Sequence, residues 1–224
     1  MGKVKFKYPY NFGKRISIVG DFNNWRPTED FSVGQKGGII TEIDLPQGRY
    51  YYKFLVDKQF WFNDPQAESY IHDGRQSINS VLSVDNEADL VTNKDYGKVT
   101  DISLTNQFDK KVLLAHKQID RKNDFNCQDN QIYLYNTINN FIGEFELSYV
   151  WCTPDLKIYD AQSTLLQGLG GEQRTYHYIN LKRTNLKPGQ WKVFILANGR
   201  VIKKVNFLLK SNFYSQQNGE IVVR

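Results

Sequence analysis

Apolar and polar positions alternate with a period of two in short runs along most of the chain. "VKFKY" (Val4 to Tyr8), "RISIV" (Arg15 to Val19), "IITEIDL" (Ile39 to Leu45), "YYYKFLV" (Tyr50 to Val56) and "INSVLSV" (Ile78 to Val84) are rich in β-branched and aromatic side chains. Gly, Pro, Asp and Asn clusters separate them, which predicts antiparallel strands joined by tight turns. After Val84 the pattern stops, and "DNEADLVTNKDYGK" (Asp85 to Lys98) is polar with no clear period. Strand-like runs then resume with "VTDISLT", "QIYLYNTI", "EFELSYVWC", "QRTYHYINL", "GQWKVFIL" and "VIKKVNFLL". No long stretch carries a helical period. The chain therefore reads as all-β, with two β-sandwich domains in series: residues 1–86, a linker at 87–98, a second sandwich at 99–210 and a C-terminal arm at 211–224. The arm, "SNFYSQQNGEIVVR", reads as a loose tail or an added edge strand.

Side-chain alternation assigns faces. Tyr50, Tyr52, Phe54 and Val56 share one face and read as core, leaving Tyr51, Lys53 and Leu55 on the other. In "KQFWFND", Phe60 and Phe62 share a face, while Trp61 points away with Gln59 and Asn63. Trp61 and Lys53 are thus expected together on a solvent-facing surface. Trp25, at the end of the turn-forming run "VGDFNNW" (Val19 to Trp25), is placed to complete it. Exposed indoles beside an ammonium and an amide suit a hexose, whose C–H faces lie on the rings while its rim hydroxyls meet the polar groups. Taken singly, each residue has a plainer reading: Trp25 and Trp61 as buried anchors, Lys53 as a solvated strand residue, Asn79 as a turn former.

Residues 3–84 resemble the glycogen-binding module of the AMP-activated protein kinase β-subunit, a family-48 carbohydrate-binding module. The resemblance is carried by "VGDFNNW", "IDLPQGRYYYKFLVD", "NDP" and "SINSVLSV", in that order and spacing. It implies an early-set, immunoglobulin-like sandwich that binds α-1,4-linked glucan without cutting it. Carried over by position, the ligand-contacting residues are Trp25, Lys53, Trp61 and Asn79. One extra residue after Asp57 makes Phe60 the alternative to Trp61. Arg75, in "DGRQSIN", stands where the family has an apolar side chain, typically Leu, and an Arg bonds hydroxyls but fills no apolar hollow. In kinase β-subunits a segment holding the other two subunits follows the module, whereas here a sandwich does.

The second region resembles, weakly and over residues 143–210, the C-terminal β-sandwich of peptide-O-xylosyltransferases. The similarity lies in a "VW" strand followed by Pro, the stretch "LKPGQWKVFI" and a strand ending in "FLL". It implies a fold and no activity. Trp151 and Trp191 fall in strongly apolar strands and read as core. The "NG" at Asn198 and Gly199 predicts a hairpin turn.

Composition narrows the function. A hydrophobic share of 40% and an aromatic share of 14% suit packed cores rather than disorder. The net charge of +5 comes from scattered Lys and Arg, a poor match to a nucleic-acid binder. No apolar run reaches membrane-spanning length and no signal-like N-terminus is present, so the expectation is a cytoplasmic protein with no membrane partner. Cys127 and Cys152 read as free thiols. His72, His116 and His177 lack metal-ligand spacing, "GLGGE" (Gly168 to Glu172) lacks a phosphate loop's Lys, and no nucleophile motif occurs, so neither metal, cofactor nor catalysis is expected. The leading reading is a non-catalytic glycogen- or starch-binding module joined to a protein-interaction sandwich. The alternative is a scaffolding component of a large assembly, cytoskeletal or ciliary, in which the carbohydrate-binding fold serves protein contacts.

Overall fold

The computed structural model describes residues 2–27, 31–32, 39–84, 97–110, 121–181, 186–211, 214–217 and 220–223. In the first sandwich, β1 (Gly2–Tyr8) pairs antiparallel with β4 (Ile39–Leu45). Opposite them lie β2 (Arg15–Gly20), β3 (Phe31–Ser32), β5 (Gly48–Val56), β7 (Ser69–His72) and β8 (Ile78–Val84), in the order β3-β2-β5-β8-β7, with β6 (Phe60–Phe62) added to β5. Phe6, Tyr8, Ile16, Ile18, Tyr52, Phe54, Val56 and Phe62 fill the space between the sheets. These are the alternate residues that the period of two assigns to one face.

The second sandwich has a five-stranded sheet and a three-stranded one. The larger sheet runs β10 (Asp124–Asn126), β16 (Arg200–Lys210), β15 (Gly189–Ala197), β12 (Ile142–Cys152), β13 (Ile158–Leu169). The smaller runs β14 (Glu172–Asn180), β11 (Gln131–Asn139), β9 (Lys98–Thr105). Trp151, Trp191, Leu134, Ile195 and Phe207 are buried between them. The predicted linker lies outside the described residues except for Gly97 and Lys98, the latter opening β9. The terminal residues form β17 (Tyr214–Gln217) and β18 (Glu220–Val223), an antiparallel pair bonded to each other.

The sandwiches do not merely follow one another. From Phe145 to Cys152 every residue of β12 is buried, and so is every residue of β15 from Val193 to Ala197. A strand buried on both faces has a partner on each. Leu147, Tyr149 and Trp151 face the second core, while Val150 and Cys152, with Phe194 and Leu196 of β15, belong to the core of the first sandwich. Phe194 packs on Phe12 with ring centroids 5.1 Å apart. Burial there pushes the Cys152 thiol up to about 12, which keeps it protonated and inert.

Candidate functional site

The run "GDFNNW" builds a hydrogen-bonded corner between β2 and β5. Gly20 lies so close to the Tyr51 carbonyl that a Cβ has no room. Asp21 opens a single 3-10 turn (Asp21–Asn23), and its carboxylate accepts from the Tyr51 backbone N–H and from the Trp25 indole N–H, each at 3.0 Å. Asn23 closes the turn by accepting from the Gly20 N–H at 2.9 Å and donating to the Ile18 carbonyl at 2.8 Å. Asn24 and Trp25 then both take left-handed backbone angles, φ 53° and 58°. A left-handed residue with a Cβ costs about 1–2 kcal/mol. The surrounding hydrogen bonds, including Trp25 N–H to the Gly20 carbonyl at 2.9 Å, hold it there. The corner thus fixes the indole at both its backbone and its ring nitrogen.

Trp61 reaches the same place from the other side. The β5–β6 hairpin turns through Asp57 and Lys58, both at positive φ, and its register pairs Val56 with Phe60, Leu55 with Trp61 and Phe54 with Phe62. Phe60 and Phe62 therefore face the first core and Trp61 faces outward, 42% exposed. The turn absorbs the extra residue, so the outward ring is Trp61 and not Phe60. Trp25 and Trp61 sit side by side with ring centroids 6.5 Å apart and planes at 44°. Tyr51 lies on the same outer face, with the Arg49 guanidinium 5.9 Å over its ring.

Lys53 is a correction. Expected at the surface, it is 6% exposed. Its ammonium pairs at 3.5 Å with Glu146 of β12 and bonds Ser77, and Ser77 in turn donates to Glu146. Asn63, on the same face, is fully buried and donates its amide to Glu146 at 3.0 Å. The reason is the second sandwich, whose β12 covers this half of the sheet and supplies the countercharge. Asn79 is half-buried on the face that carries Lys53, because the β5–β8 ladder pairs Tyr51 with Val81 and carries Lys53 towards Asn79. Arg75 is exposed in the β7–β8 turn, where Asp73 accepts from its backbone N–H at 2.8 Å. The structure thus joins Trp25 to Trp61 and joins Lys53 to Glu146 and Ser77 beneath the second sandwich.

Glu146, Ser77 and Asp21 have no place in the sequence reading. Glu146 did leave a signal: in "EFELSYVWC" it is a carboxylate within an apolar strand, and a buried charge demands a partner. His72 is exposed and accepts from the Gly74 N–H at 2.9 Å, while His116 lies outside the described residues. Among the described residues no group of His, Cys, Asp and Glu is arranged to hold a metal ion, and no helix is long and apolar enough to cross a membrane.

Residues 3–91 match the family model of the glycogen recognition site of AMP-activated protein kinase. Over 72 residues, 32% of this chain, the sequence is 36% identical to 5'-AMP-activated protein kinase subunit beta-2 of Mus musculus, of which it covers 26%. It is 33% identical over 72 residues to the beta-1 subunit of Sus scrofa, covering 32% of this chain and 56% of that one. The chain spans about a quarter of the length of the first of these curated relatives. Among solved structures, an immunoglobulin-like protein from Pseudomonas aeruginosa aligns at TM-score 0.35 and 12% identity, over 51% of this chain and 98% of that one. A maltogenic amylase from S. marinus aligns at TM-score 0.31 and 14% identity, over 91% of this chain and 26% of that one. Likenesses this distant carry no argument about function.

Proposed function

We propose, from the match of residues 3–91 to a glycogen recognition site, that the outward face around Trp25 and Trp61 is a non-catalytic shelf for α-1,4-linked glucan. The observation that carries the reading is the meeting of the two indoles, 6.5 Å apart, one from the turn that follows β2 and the other from β6. Two rigid rings tilted at 44° make a shallow trough, which suits a curved glucan better than a flat face would. The sugar C–H faces rest on the rings, and rim hydroxyls meet Asn79 and Arg75. Lys53 acts here from beneath: clamped to Glu146, it fixes the strand that flanks the shelf rather than touching sugar.

The test is retention of the full chain on immobilised amylose. The parent is expected to be retained, and Trp25→Ala or Trp61→Ala to weaken binding by about 1–3 kcal/mol, the range that stacking contacts on aromatic side chains reach. A folded parent that passes straight through would remove the reading.

A second reading has one specific observation in its favour. The ammonium that the resemblance assigns to sugar is already taken by Glu146, so the same shelf would serve a protein partner in a scaffold. Failure of the parent on amylose, with Trp25 and Trp61 still required for assembly with a partner, would select it.

A further inference from the structure

One cation of the shelf is taken, and the same strand presents another. Alternation along β5 turns Arg49, Tyr51, Lys53 and Leu55 to the outward face. Their surroundings differ. Leu55 is buried beside Trp61, its partner in the ladder. Lys53 is sealed against Glu146 and Ser77. Tyr51 is half-buried and Arg49 is exposed. No carboxylate among the described residues pairs with the Arg49 guanidinium.

That guanidinium is held in place. It lies over the Tyr51 ring, 5.9 Å from the centroid, inside the roughly 6 Å over which a ring face attracts a cation. Tyr51 is fixed in turn: its backbone N–H donates to one oxygen of Asp21 at 3.0 Å, while the other oxygen accepts from the Trp25 indole N–H at 3.0 Å. On the far side the β5–β8 ladder pairs Tyr51 with Val81 and Arg49 with Ser83. One carboxylate therefore sets the Trp25 ring directly and the Arg49 side chain through Tyr51. Arg26 and Arg75 are exposed around the same shelf, but no ring among the described residues holds either.

We infer that Arg49, propped on Tyr51, is the cationic sugar ligand of the shelf in place of Lys53, and that the occupant is a glucan chain longer than maltotriose. The inference rests on the glucan reading of Trp25 and Trp61. At about 3.4 Å per residue, the row from Arg49 to Leu55 runs about 20 Å along β5, so a chain seated on both indoles has to continue along the strand to meet the guanidinium. A guanidinium suits that end because its donors form a fixed planar fork, which meets neighbouring hydroxyls on a sugar rim. Contact with a ring also leaves it less freedom to lose on binding than a side chain waving in solvent.

The test is titration calorimetry of the full chain with maltotriose and with maltoheptaose. The parent is expected to bind maltoheptaose more tightly. Arg49→Ala is expected to weaken maltoheptaose roughly tenfold and to leave maltotriose unchanged. Arg49→Lys, which keeps the charge and loses the fork, should fall between Arg49→Ala and the parent. Tyr51 is a positioning residue: Tyr51→Leu should weaken maltoheptaose alone, and Tyr51→Phe, which keeps the ring, should restore it. Equal loss on both sugars in Arg49→Ala overturns the inference, and so does no loss on either. A parent that binds neither sugar also overturns it; the glucan reading then survives if amylose retains the parent and falls if amylose does not.

Discussion

At Asp21 one carboxylate determines where an indole lies. It accepts from Tyr51 N–H and Trp25 Nε1–H at once, so Asp21→Ala frees the ring and leaves a strand donor unpaired. The expected outcome is loss of amylose retention comparable to Trp25→Ala, with a stability loss of about 1–3 kcal/mol in urea unfolding. Asp21→Asn, which keeps one acceptor oxygen, should fall between the two. His177 offers a different residue-scale test. Its folded-state value of about 4 lies below the ordinary 6.5, so between those values the unfolded chain takes up a proton that the folded chain refuses. Stability therefore falls as pH drops through that window and is constant above it, the full loss being about 3 kcal/mol. The difference between the parent and His177→Gln, which does not titrate, isolates this slope. Burial raises Asp64 at the same time, an opposite contribution that the two chains share and the difference removes.

Among the elements, the β15–β16 hairpin does more than reverse the chain. Its Asn198-Gly199 turn takes the positive φ values, 45° and 78°, that such a two-residue turn requires. The Asn198 side chain accepts from the Glu146 N–H at 2.8 Å, and the Asn198 N–H donates to the Glu146 carbonyl at 2.9 Å. Gly199 rests on the Asn63 backbone of the first sandwich so closely that a Cβ would run into the Asn63 carbonyl. Gly199→Ala is therefore expected to cost more than the roughly 1–2 kcal/mol of left-handed strain, because the hairpin must also withdraw from Asn63. Unfolding should show the loss, and hydrogen exchange should show new openness at Asn63 and Ser80 rather than within β15. The two-residue signal for the turn was legible in the sequence. Its docking against Asn63 was not, since contact between residues this far apart leaves no local mark.

Across the whole molecule, the buried group of Lys53, Glu146, Ser77 and Asn63 ties the sandwiches together beside a shared apolar core. Breaking a buried pair on one side leaves an uncompensated charge, so Lys53→Met alone is expected to destabilise by about 3–5 kcal/mol. The double variant Lys53→Met/Glu146→Leu should recover much of that loss, and additive losses in urea unfolding would show that the two do not act as a pair. Alternation along "YYYKFLV" and "INSVLSV" was enough to assign strands and inward residues, because the pleat makes every second side chain share a fate. The "GDFNNW" corner was legible for a similar reason: its hydrogen bonds run mostly among residues a few positions apart. Alternation says which residues share a face, and nothing about what covers that face. Lys53 and Trp61 stand on the same side of one sheet, yet one is sealed under Glu146 and the other is open. That difference comes from where β12, more than eighty residues further along the chain, comes to rest, and a period of two holds no information about a partner so far away.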